Sequence, residues 1–381
     1  MSKRYSIFLT ALFCAFLGGM ALLSLLLPKE SFSELENRYL QKAPTLSLSA
    51  IESGKFMEEA EDYVSDHIAG RDFWVALKAW SERLSGKGEN EGVYFGKEDT
   101  LLNRVADPDE ERLSQAMNYL NRLAEQSEVP TYFGVIPTSS AIWHERLPKG
   151  APTADEESAI RELNGESRAA VVDIYDALTA HAGEDVYYRT DHHWTADGAY
   201  YAYEAYCESK DLLPISRGRH EKREFDGFLG SFYNDTKSKK LQKHPDTVTA
   251  YEPISKNISM VCEEANGSKP TYKVIYDVSK HPASLKYNAF LAGDHAYSKI
   301  TNEDLTDGSS CVVVKESFGN AFVPFLVDHY QTVHVIDYRY WNQDLISFVE
   351  KKQADDLIFV NNLSMIRSDY LTGRLAQLIN K

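Results

Sequence analysis

The apolar positions follow three different periods along the chain. From Ile7 to Leu27 they run without a charged residue, "IFLTALFCAFLGGMALLSLLL", close to the ~20 residues a helix needs to cross a bilayer. Further on the spacing shifts to three and four, and Phe56, Ala60, Tyr63, Val64 and His67 mark one face of an amphipathic helix. Gly86, Gly88 and Gly92 break that pattern ahead of a short strand from Val93 to Phe95. Residues 1–30 thus read as a membrane anchor and residues 31–92 as a helical lead-in.

Past residue 93, short continuous apolar runs alternate with helical stretches. "TYFGVIP", "AAVVDIY", "SSCVVVKES", "TVHVIDY" and "DLIFVNN" predict strands. "ERLSQAMNYLNRLAEQ", "ADEESAIRELNGE", "FGNAFVPFLVDHY", "NQDLISFVEKKQ" and the C-terminal segment predict helices. Such alternation implies an α/β domain, a largely parallel sheet with helices on both faces, spanning residues 93–381. Residues 215–300 differ, with many charges and alternating runs such as "TYKVIYDV", and read as an inserted antiparallel β region.

Charge narrows the partners. Against 57 acidic side chains stand 41 basic ones, a net charge of −16, which repels phosphate backbones and excludes a nucleic-acid binder. Lys3 and Arg4 precede the apolar run, so the expected topology is single-pass in the cytoplasmic membrane, N-terminus inside and everything after Pro28 extracytoplasmic. A cleaved signal peptide would have a shorter apolar core, ~7–15 residues, and a small-x-small site, which "GGMALLSLLLPKE" lacks. Phe13 before Cys14 also fits a lipoprotein signal poorly. Beyond the anchor lie Cys207, Cys262 and Cys311, enough for one bridge at most.

Two stretches carry candidate chemistry. In "TDHHWTADG", Asp191 and His193 are one residue apart, so on an extended segment they point the same way and His192 the other. A carboxylate there can fix an imidazole's tautomer and stabilise its charged form. The same letters suit a polar turn with Thr195 capping the next helix. A metal site would need ligands the surrounding sequence does not supply, and neither metal nor cofactor is expected. In "CVVVKESFGNAFVPFL", an apolar strand runs into Ser317 and Gly319 opens a helix. This placement suits a nucleophile among converging backbone N–H groups, and equally an ordinary helix N-cap.

"TDHHWT", followed by "YNAFLAGDHAYSKI", "VVVKESFGNAFVPFL", "VHVIDYRYW" and "LIFVNN", resembles the DHHW protein family. It is similar in turn to the SGNH-hydrolase-like, flavodoxin-like domains of alginate O-acetylation proteins of the AlgJ and AlgX type. "ENRYLQKAP", "SGKFMEEAEDYVSDHIAGRDF" and "GVYFGKEDTLL" extend the likeness over nearly all the chain after the anchor. The resemblance implies a circularly permuted motif order and a triad of Asp191, His193 and Ser317, with Asn361 or Asn362 in the oxyanion hole. Where family members carry Lys-Asp-Ser-Tyr, this chain has Lys315-Glu316-Ser317-Phe318, which keeps the acid and lacks the phenol hydroxyl. Arg339 is a candidate for steering an anionic sugar or the acyl oxygen, or for a surface ion pair. Trp194 is a candidate sugar platform or a packing residue, and His192 a further substrate contact. The implied activity is O-acetylation of a secreted or cell-wall polysaccharide, with a membrane-bound O-acyltransferase passing the acetyl group. An esterase with the same triad and a non-catalytic polysaccharide-binding assembly factor are the alternatives.

Overall fold

The computed structural model describes residues 3–29, 32–33, 38–71, 73–74, 77, 88–107, 109–264, 267–363 and 369–379. The chain divides into two compact units, residues 1–90 with 234–237, and residues 91–233 with 238–381.

In the first unit, the apolar run forms one helix, Lys3–Leu26, long and apolar enough to span a membrane. The lead-in supplies Leu48–Glu52, capped by Ser47, and the amphipathic helix Lys55–Asp66. Phe56, Ala60, Tyr63 and His67 are half-buried along one face of it, whereas Val64 stays exposed. Gly86 lies outside the described residues.

The second unit is built on an eight-stranded sheet: β1 (Thr131–Ile136), β2 (Ala170–Val172), β3 (Ile258–Glu263), β4 (Thr271–Tyr272), β5 (Tyr297–Asn302), β6 (Ser310–Lys315), β7 (Thr332–Asp337) and β8 (Asp356–Asn362). Their order is β4-β3-β5-β7-β6-β8-β1-β2. From β7 to β2 all neighbours are parallel, as expected for strands linked by helical crossovers. The sheet as a whole is mixed, because residues 215–300 add antiparallel β3, β4 and β5 at one edge. That region also forms a hairpin of its own, Glu221–Phe228 with Asp246–Glu252.

Period-two alternation sorts the central strands into two cores. Val312 and Val314 of β6, Leu357 and Phe359 of β8, and Phe133 and Val135 of β1 face one core with the helices Glu110–Gln126, Glu156–Glu166 and Leu345–Lys352. Cys311 and Val313, Ile358 and Val360, and Tyr132 and Ile136 face the other, under the helix Ala196–Ser209. Each fully buried Val, Leu or Phe contributes about 1.5–3 kcal/mol, so these strands dominate the stability. Two expected elements end early. Asp173 caps a helix at Ile174–Ala180 and stops the "AAVVDIY" strand at Val172. The stretch from Phe318 to Tyr330 holds a single α-turn, Gly319–Phe322, followed by a 3-10 turn, Val323–Leu326. Pro324 has no N–H to continue an α-helix. The four cysteines are unpaired.

Candidate active site

Ser317 lies just past the carboxyl end of β6, in the turn leading to Gly319–Phe322. From Ser310 to Val327 every residue is buried except Ser317, so the strand and turn present a single hydroxyl at the surface. Gly319 makes the turn possible. A Cβ there would stand 2.4 Å from Lys315 Cβ.

Asp191 and His193 reach this hydroxyl from the loop before the helix Ala196–Ser209. The loop is a bend rather than the extended segment its spacing suggested. Asp191 Oδ1 accepts the N–H of His193 at 2.9 Å and its Nδ1–H at 2.5 Å, an Asx-type turn that closes the pair. With Nδ1 donating, His193 Nε2 is the acceptor for Ser317 Oγ, 2.8 Å away. Because the backbone bends, His192 does not point to the opposite side. Its ring lies 3.9 Å from that of His193, and its Nδ1 pairs with Ser231 Oγ at 2.6 Å.

The inserted region holds this bend in place. Asp246 accepts from Arg189 Nε at 3.0 Å and from the Thr190 N–H and Oγ1 at 2.8 and 2.7 Å. Ser231 N–H donates to Asp191 Oδ2 at 2.7 Å. Tyr287 stacks on the His193 ring, 3.9 Å between centroids and 13° between planes, and its hydroxyl donates to the Ser317 carbonyl at 3.2 Å. Phe318 flanks the same imidazole at 4.8 Å. Gly230 packs so closely that a Cβ would fall 2.2 Å from Asp191 Oδ2.

Electrostatics favour an ionised Asp191. Burial opposes its charge, but His192, His193 and the Ser231 N–H outweigh burial and hold the carboxyl well below the usual range. His192 is pushed down to about 4 by desolvation and the adjacent His193, against the pull of Asp191, which leaves it neutral near pH 7. Glu316 is buried beside Ser317. One oxygen accepts the Phe318 N–H at 3.0 Å and lies 3.3 Å from Ser317 Oγ, while the other accepts the Asn362 N–H at 3.0 Å. Burial pushes Glu316 up, opposed by Arg339, these two N–H groups and His193.

The remaining predicted residues have other partners. Trp194 is fully buried and donates Nε1–H to the Phe318 carbonyl at 2.9 Å, so it packs beneath the nucleophile turn and offers no face to a sugar. Arg339 is not on the surface. Its guanidinium meets Asp337 at 2.6 and 2.8 Å and Asp294 at 2.7 Å, in a cluster shared with Lys315 Nζ, 2.9 Å from Asp337. Asn362 Nδ2 donates to the Ile136 and Pro137 carbonyls, both at 3.1 Å, joining β8 to the chain after β1. Asn361 Nδ2 is 3.4 Å from the Val314 carbonyl, and its Oδ1 is buried without a hydrogen bond. Donor atoms of Asp191, His192 and His193 lie within 4.8 Å of one another, but Asp191 and Ser317 engage both nitrogens of His193. Gly230, Ser231, Asp246 and Tyr287 were not singled out in the sequence reading. Glu316 was noted only as the acid kept beside Ser317.

A mixed α/β sheet with a serine at the carboxyl end of a parallel strand, met by Asp and His from earlier in the chain, defines an α/β domain whose Asp-His pair precedes its serine in sequence. The chain belongs to the DHHW protein family, whose model matches residues 135–336. Among solved structures it is similar to a DHHW family protein from Eubacterium siraeum, with 27% identity and a TM-score of 0.67, over 77% of this chain and 98% of that one. It is similar also to Bacillus cereus PatB1, solved with a sulfonyl adduct: 18% identity, TM-score 0.61, 73% of this chain and 98% of that one. A more remote likeness is to the O-acetyltransferase domain of Pseudomonas putida AlgJ, with 15% identity and a TM-score of 0.46, over 76% of this chain and 99% of that one. No curated protein matches the sequence.

Proposed function

We propose that this chain is a membrane-anchored, extracytoplasmic serine acyltransferase that O-acetylates a secreted or cell-wall polysaccharide. One observation carries the reading, the continuous relay from Asp191 through His193 to Ser317 Oγ, with contacts of 2.5 and 2.8 Å. Ser317 Oγ attacks the acyl carbonyl as its proton passes to His193 Nε2, and Asp191 balances the imidazolium. The imidazolium returns that proton to the leaving group as the donor's acyl bond breaks. A sugar hydroxyl then attacks the acyl-serine, His193 takes the hydroxyl proton and restores it to Ser317, and the acetylated sugar departs.

The donor is an acetyl group delivered by a membrane-bound O-acyltransferase, which suits the helix Lys3–Leu26 with two basic residues at its start. An activated acetyl ester should give a burst equal to the enzyme concentration, then slow turnover that an oligosaccharide acceptor accelerates with formation of acetylated sugar. A sulfonyl fluoride should label Ser317. Acetate release that no acceptor raises would make the protein an esterase. A wild type with no burst and no sulfonylation would leave the polysaccharide-binding assembly factor in place of both enzymes.

A further inference from the structure

We propose that Tyr340 is the stacking platform for a pyranose ring of an uncharged glycan, the acceptor side of the Ser317 site. The inference rests on the acyl-transfer reading and adds the class of acceptor. Among the described residues of the α/β unit, only Leu213 and Tyr340 are large apolar side chains left exposed, Tyr340 at 56%. The Tyr340 ring therefore has a face open to a ligand, with a hydroxyl that can hydrogen-bond at its tip.

Its position follows from strand register. Lys315 of β6 pairs with Asp337 of β7 in adjacent parallel strands, about 4.8 Å apart. Ser317 lies two residues beyond the first and Tyr340 three beyond the second, so both residues follow the same edge of the sheet on neighbouring strands. Carboxyl ends of parallel strands are where ligands bind in such folds. The backbone that carries the ring is pinned. Tyr340 N–H and Trp341 N–H both donate to the Asp337 carbonyl, at 3.1 and 3.0 Å, and the Arg339 guanidinium sits 5.2 Å from the ring centroid. A tyrosine has few rotatable bonds to order on binding, and its face suits the C–H face of a sugar.

Charge selects the kind of sugar. Around this edge stand Asp191, Glu316, Asp294 and Asp337 against only Lys315 and Arg339, in a chain of net charge −16. Both cations are already paired with Asp337 and Asp294. A uronate would find neither cation free to meet its carboxylate, whereas a neutral or N-acetylated sugar needs none.

The test uses the full chain with Ser317→Ala, so that binding is read without chemistry, and chitopentaose and tetragalacturonate as probes in titration calorimetry. Chitopentaose should bind. Tyr340→Ala should weaken it at least tenfold, Tyr340→Phe less than threefold, and Leu213→Ala not at all, with melting temperatures matched. Tetragalacturonate should bind at least tenfold more weakly than chitopentaose at low salt. Absent chitopentaose binding, equal affinity in Tyr340→Ala, or preference for the uronate would each overturn the proposal. In active protein, Tyr340→Ala should raise the KM for the oligosaccharide. Loss of the acyl burst in the wild type would overturn the transferase reading instead, without touching Tyr340-dependent binding.

Discussion

Gly230→Ala should impair the triad without altering any of its members. The added methyl would lie 2.2 Å from both Asp191 Cβ and Oδ2, and 2.5 Å from Cγ. Ordinary carbon contacts sit near 3.5–4.0 Å, so one partner must retreat by about 1 Å or more. Overpacking of this size costs about 1–3 kcal/mol, a fall in melting temperature of several degrees for a domain this large. A displaced Asp191 would lengthen its bonds to His193, and misplacement of ~1 Å is worth about 100-fold in rate. The assays are thermal unfolding and the burst with an activated acetyl ester, with Gly183→Ala as control because a Cβ there meets nothing within 4 Å. The two effects should separate in an Asp191→Ala background. There the rate penalty of Gly230→Ala should largely disappear, because the carboxylate it displaces is gone. The melting penalty should persist, because Asp191 Cβ remains. A Gly230→Ala protein with a wild-type burst and wild-type melting would refute the claim that this glycine holds the triad.

Ser317→Ala and His193→Ala should each abolish the burst, and the double variant should lose no more, since the members act as one unit. Asp191→Asn should keep the fold and cut the rate by roughly 10⁴, because an amide cannot balance the imidazolium. Tyr287→Phe, which removes the hydroxyl bond to Ser317 but keeps the stacked ring, should cost about 1 kcal/mol of stability, whereas Tyr287→Leu should lower the burst rate as well. His334, whose pKa burial and the nearby Lys352 and Lys299 push down to about 4, refuses a proton that the unfolded chain takes up near 6.5. Its contribution is therefore complete above pH 6.5 and is lost as pH falls to 4, up to about 3 kcal/mol, so His334→Gln should flatten urea-melt stability across that window. Protease added to intact, wall-stripped cells should digest the chain, and full protection or an N-terminus after residue 27 would overturn the proposed topology.

The central strands were legible because their alternation is local. Val312 to Val314 and Leu357 to Val360 are apolar on both faces, which only a buried parallel strand tolerates. The meeting of Asp191, His193 and Ser317 was legible through the family resemblance, since the strand-serine-glycine context by itself suits a helix N-cap and the Asp-x-His stretch a polar turn. The supposed mechanism of that spacing was nevertheless wrong. An extended chain would have turned His192 away, and the Asx turn at Asp191 instead keeps all three side chains on one side. Trp194 misled for want of burial information, since a tryptophan beside a catalytic pair reads alike whether it faces sugar or core. Gly230 and Ser231 carried no local signal, and Tyr287 entered only as the first residue of "YNAFLAGDHAYSKI", because their roles exist only once residues 215–300 fold back onto Asp191 and His193.

That last group changes what the inserted region is for. Asp246 fixes Arg189 and Thr190, Ser231 supplies the N–H to Asp191 and the hydroxyl to His192, and Tyr287 walls the imidazole of His193. Without these groups Asp191 Oδ2 would lose its backbone donor, and the bend would lean on its Asx turn, the Tyr188 N–H bond to the His193 carbonyl and the Leu101 N–H bond to the Arg189 carbonyl. The insertion is therefore a wall of the site rather than an ornament on the sheet edge. Phe318 is buried among the rings of His192, His193 and Trp194, with its N–H given to Glu316 and its carbonyl to Trp194. Tyr287 brings a phenol to this turn from the insertion, on the carbonyl of Ser317 itself. The aromatic wall and the tyrosine hydroxyl are both present at the nucleophile turn, carried by two different segments of the chain.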